Sequence, residues 1–85
     1  MTVFMAWAGA ELPADLVGPW REVRVAAPGV AFVDSDDTLS RVYHELKWSL
    51  PEGSPLLVVP LAQAPKAKGL APGTQSWVRG RVGAG

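Results

Sequence analysis

Between residues 38 and 50 the apolar positions Leu39, Val42, Tyr43, Leu46 and Leu50 recur at i, i+3, i+4, i+7 and i+11. At roughly 100° per residue they share a stripe about 100° wide, which predicts an amphipathic helix packed on one side. Ser35-Asp36-Asp37-Thr38 supplies side-chain oxygens to cap its free N–H groups, and acids there oppose the helix dipole. Pro51 and Gly53 end it. The apolar run that follows, residues 56–61 (LLVVPL), has the pattern of an interior strand. Pro60 cannot donate to a ladder, so pairing should weaken there.

The rest of the chain reads less sharply. Residues 3–8 (VFMAWA) are apolar on both alternating faces, which suits a strand inside a covered sheet or at a dimer contact. Residues 11–20 (ELPADLVGPW) predict at best a helix of about two turns. Pro13 and Asp15 suit its start, Leu12, Leu16 and Val17 share a face, and Gly18-Pro19 stops it. Residues 21–27 (REVRVAA) and 30–34 (VAFVD) read as a hairpin turned by Pro28-Gly29, with Pro fixing φ and Gly supplying φ > 0. Residues 63–74 are Pro-, Gly- and Lys-containing and read as a loop. In residues 75–82 (QSWVRGRV), Trp77, Arg79 and Arg81 alternate with Val78, Gly80 and Val82, the pattern of a short edge strand with arginines on one side.

This succession predicts an α+β domain of ferredoxin-like βαββαβ type, with a short first helix and an extra C-terminal strand. Residues 1–62 would form the core, residues 63–74 a loop, and residues 75–82 an edge or exchanged strand. Right-handed crossovers put both helices on one sheet face. The other face, carrying Met5 and Trp7 or their opposite neighbours, would stay bare, and a bare apolar face usually means a partner.

Composition narrows this picture. A chain of 85 residues is one domain at most. It buries only about 60–65% of its unfolded surface, so a second copy would add core. No apolar run approaches the roughly 20 residues that span a bilayer. The first apolar run has no Lys or Arg before it, so a signal peptide is not expected and a cytoplasmic location is. The absence of Cys excludes a disulfide framework and thiolate-held metal. Net charge is zero, yet residues 1–50 hold four basic and seven acidic side chains, and residues 51–85 hold four and one. Such a split suits head-to-tail self-association or an anionic partner. The lack of Ile and Asn, with abundant Ala, Val, Gly and Pro, fits a GC-rich coding sequence such as that of an actinobacterium or its phage.

From residue 30 onward, "VAFVDSDDTLSRVYHELKWSLPEGSPLLVVPL" and then "QSWV" resemble the SinR-like relatives of the small CRISPR-associated endoribonuclease superfamily. The resemblance spans residues 30–61 and 76–78 and is mostly hydrophobic pattern. It implies a ferredoxin-like fold and pairing of copies through their sheets, with a C-terminal strand reaching onto the partner. The nuclease members hold a divalent metal from an aspartate at the end of the first strand. Here that stretch reads Met5-Ala6-Trp7-Ala8-Gly9, with no carboxylate before Glu11. Metal-assisted cleavage needs anionic oxygen ligands, so a nuclease role is not expected.

The remaining chemistry is sparse. Asp34, Asp36, Asp37 and Glu45 read as a strand end and a helix cap, in no calcium-loop spacing. His44 lies about 140° from Leu39 on the helix wheel, away from the apolar stripe. No serine has a glycine-elbow context. No catalytic, cofactor-binding or metal-ligating residue is therefore assigned. Trp48 sits about 180° from Leu39, beside Arg41 and His44, and an exposed Trp near Arg is typical of a contact hot spot. Partner contacts are thus expected at Trp48, Arg41, His44, Trp77, Arg79 and Arg81. Lys66, Lys68, Arg79 and Arg81 with Trp77 offer phosphate contacts and a stacking ring, although the chain is not basic overall. The expectation is a non-enzymatic protein-binding module, first of all a homodimer, without a membrane role. The alternatives are a nucleic-acid-binding or degenerate nuclease-like protein, and a phage accessory protein that binds a host factor.

Overall fold

The computed structural model describes residues 2–13 and 15–82. The elements follow as β1 (Thr2–Ala8), β2 (Glu22–Ala27), β3 (Val30–Ser35), α1 (Leu39–Ser49), β4 (Leu56–Pro60) and α2 (Thr74–Val82). The strands form one antiparallel sheet in the order β2-β3-β1-β4. The fold is α+β, with one helix against each sheet face.

The two apolar faces of β1 explain its central place. Phe4, Ala6 and Ala8 join Ala31 and Val33 of β3 beneath Val42 and Leu46 of α1. Val3 points the other way and packs with Ala26, Phe32 and, from α2, Trp77 and Val78. The Phe4, Ala6 and Ala8 face is thus removed from water and the Val3 end of the other face with it, each large buried side chain contributing about 1.5–3 kcal/mol.

The hairpin forms as its sequence demands. Gly29 has a φ of 74°, which the third position of a type II turn requires. A Cβ there would lie 2.6 Å from the Ala8 carbonyl oxygen, so the neighbouring strand also selects glycine. The Ala8 N–H in turn donates to the Gly29 carbonyl at 2.8 Å.

In α1 the cap is Thr38, whose hydroxyl accepts from the Arg41 N–H at 3.1 Å. Val42, Leu46 and Leu50 of the expected stripe are buried, Tyr43 is half-buried, and Leu39 at its margin is 41% exposed. Of the two aspartates expected to cap, Asp37 accepts from the Thr38 N–H at 2.8 Å, whereas Asp36, like Asp34, pairs with Arg21.

Four expectations are corrected. Among the described residues, no helix forms between β1 and β2. Pro13 and Gly18-Pro19 leave too few residues for a stable helix. Leu12, Leu16 and Trp20 still pack on the α1 side, while Val17 is 90% exposed. Residues 75–82 belong to a helix, not a strand. Thr74, Trp77 and Val78 lie at i, i+3 and i+4 and are buried together, and that burial decides the conformation. The sheet face opposite α1 is therefore covered in part by α2 and is not bare. Last, β4 is an edge strand and not an interior one.

Candidate interaction surface

Alone among the four strands, β4 has no buried residue. Leu61 donates its N–H to the Val3 carbonyl at 2.9 Å, and Gly9 donates to the Pro55 carbonyl at 2.9 Å. Polar groups alternate in direction along a strand. Leu57 and Val59 therefore turn theirs towards β1, while Leu56, Val58 and Pro60 turn theirs outward. Proline fits here because the N–H it lacks would have faced away from the sheet. Among the described residues nothing pairs with this outer edge.

The side chains beside that edge are apolar on both faces. On the α2 side, Leu57 and Val59 are 55% and 37% exposed, and Trp7, opposite Leu57 in the register, is 44% exposed. On the α1 side, Leu39, Ser40 and Tyr43 form a groove with Leu56, Leu57 and Val58. No charged residue occurs from position 53 to 65.

The other edge of the sheet is guarded. The Ala71 N–H donates to the Ala26 carbonyl of β2 at 2.8 Å, and Arg24 donates to the Pro72 carbonyl at 2.9 Å. Glu22 and Arg24 add charge to this strand. Covering loops, charged side chains and edge prolines are usual defences of an edge; β4 has neither of the first two and carries only Pro60.

Beside β2 lies an ion-pair network centred on a buried carboxylate. Asp34, 4% exposed, accepts from Arg81 Nε at 3.1 Å and from Arg21 Nη2 at 3.2 Å. Arg81 also pairs with Glu22 at 2.9 Å, and its guanidinium lies 4.1 Å above the Trp77 ring. Arg21 pairs with Asp36 as well. That hydrogen bond holds the Asp36 carboxyl well below the usual carboxylate range, and the bonds to Asp36 and then Asp34 push the Arg21 guanidinium up. The network ties α2 to the sheet, so its chemistry is structural.

The residues expected to make contacts are dispersed. Trp48 is 71% exposed on α1, with the His44 ring 5.9 Å away and tilted by 31°. Arg41 on the same face pairs with Glu45 at 3.3 Å. Trp77 is buried under α2 and Arg81 is turned inward, so neither occupies the surface that a C-terminal strand would have given them. Arg79, Lys66 and Lys68 are exposed. Leu57 and Val59 were not singled out by sequence. The signals were Pro60 and the uncharged stretch around them.

Among the described residues, no three His, Asp or Glu side chains converge as a metal set. No described helix is long and apolar enough to cross a membrane. No protein-family model matches the chain, and neither a curated protein nor a solved structure matches it significantly.

Proposed function

We propose that this chain is a non-enzymatic protein-interaction module that accepts a further strand along β4. The observation that carries the reading is an edge that, among the described residues, no loop covers and no charge protects, with apolar side chains exposed on both of its faces. Addition of an extended segment to a sheet edge is a common recognition mode: main-chain hydrogen bonds supply affinity and neighbouring side chains supply selectivity.

The order β2-β3-β1-β4 and the crossover through α1 fit a ferredoxin-like arrangement that has no first helix among the described residues between β1 and β2. The resemblance to SinR-like proteins fits pairing through the sheet, although the C-terminal strand it implies is the helix α2 here. Where a nuclease member needs its aspartate, β1 ends in Trp7-Ala8 and the exposed Gly9 follows. Nucleic-acid binding draws less support, because Arg81 is committed to Asp34 and Glu22.

The test is site-specific photo-crosslinking in cells of the source organism, with Leu57→p-benzoyl-phenylalanine and, as control, the same residue at Arg79. The reading predicts protein adducts at position 57. Nucleic-acid adducts at position 79, with none to protein at position 57, would contradict it.

A further inference from the structure

We infer that the strand β4 accepts is β4 of a second copy, antiparallel, with the two-fold axis at Val58. This rests on the reading of β4 as an interaction edge and names its occupant.

The outward backbone groups of β4 are self-complementary. They comprise the N–H and C=O of Leu56 and Val58 and the C=O of Pro60 (the alternation is set by the bonds at Leu61 and Pro55). With the axis at Val58, each Val58 N–H meets the Val58 carbonyl of the other copy. Each Leu56 N–H meets the Pro60 carbonyl of the other copy. Every outward donor then has an acceptor, and the missing N–H of Pro60 leaves no donor stranded. Only this register opposes all five residues of one β4 to all five of the other.

Side chains and charge agree with that register. Leu57 of one copy falls opposite Val59 of the other, in a non-hydrogen-bonded pair where side chains approach most closely. The exposed set Trp7, Leu57 and Val59 is thereby joined to its own image. The nearest charges flanking the uncharged stretch are Glu52 before it and Lys66 after it. Antiparallel pairing sets the end of each strand that leads back to Glu52 beside the end of the other that leads on to Lys66.

Closure follows from the other edge. Pairing through β4 makes an eight-stranded sheet whose two outer strands are both β2. These are covered by residues 71–72 and carry Glu22 and Arg24. Assembly therefore stops at two copies, as a closed two-fold interface should.

Sedimentation velocity of the whole chain over a concentration series, up to about 0.5 mM, tests this, since weak pairs with Kd near 0.1 mM still appear there. The wild type is expected to shift from monomer to dimer and no further. Leu57→Lys sets two charges into the interface and is expected to weaken dimerisation at least about 100-fold, a change of about 2.7 kcal/mol. Val58→Pro removes the central outward donor without touching the β1 ladder and should act likewise. Circular dichroism checks that each variant folds, and Leu57→Lys, at a half-exposed site, carries the test alone if Val58→Pro does not. A wild type that stays monomeric throughout, or a dimer unmoved by Leu57→Lys, overturns the inference. A monomer that still crosslinks a different protein at position 57 overturns this occupant and leaves the edge reading standing.

Discussion

Replacing Arg81 by Met tests how α2 is held to the sheet. Methionine keeps much of the aliphatic stem and removes the guanidinium. Besides a 3.3 Å bond from Arg81 Nη1 to the Trp77 carbonyl within α2, three contributions that reach beyond the helix backbone are lost. The charge-assisted bond to Asp34, whose side chain is 5% exposed, is worth about 1.5–3 kcal/mol. The stacking of Arg81 on Trp77, partly removed from water, adds about 0.5–1 kcal/mol. The pair with Glu22 is half exposed on the acid side and adds at most about 1 kcal/mol. Arg21 still reaches Asp34 at 3.2 Å, so the buried carboxylate is not orphaned. The expected loss is therefore about 2–5 kcal/mol, against a total of about 4–13 kcal/mol for a chain of this length. Urea unfolding followed by Trp fluorescence and far-ultraviolet circular dichroism measures it. A loss below about 0.5 kcal/mol, the range of an ordinary surface substitution, would refute the view that this network anchors the helix.

Two further outcomes follow from the same contacts. Asp36 is held below its ordinary pKa by Arg21, so its contribution is present above about pH 4, the ordinary carboxylate value, and is lost as pH falls further. Asp36→Asn should flatten the acid limb of the stability profile below that pH, and more so at low salt; parallel limbs in the two proteins would contradict it. Gly29→Ala should cost at least about 1–2 kcal/mol from its left-handed φ alone, and more because the new Cβ meets the Ala8 backbone oxygen; thermal unfolding reads the loss, and an unchanged midpoint would sink the turn assignment.

The parts of the fold that sequence reading captured are those whose cause is local. The α1 stripe and Thr38 cap, and the Pro28-Gly29 turn, are set by neighbours a few residues apart. Residues 11–20 misled because Leu12 and Leu16 have helical spacing, yet they reach the core from an irregular loop. In residues 75–82 two patterns compete. Arginine alternation suggests a strand, while Trp77, Val78, Arg81 and Val82 also share a helical face, and Gly80 weakens both. Packing against Val3 and Phe32 favours the helix. The position of β4 at an edge is non-local and has no periodic signature. Pro60 was the local sign of it, and the proposed surface went unseen with it, whereas the exposure of Trp48 was legible from the helix wheel alone.

Backbone amide hydrogen exchange along β4, measured at low and high protein concentration, tests the central claim most directly. Leu57 and Val59, bonded towards β1, should be protected at both. Leu56 and Val58, facing outward, should exchange freely when dilute and become protected as the chains pair. Rapid exchange at Leu56 and Val58 at every concentration would contradict the account.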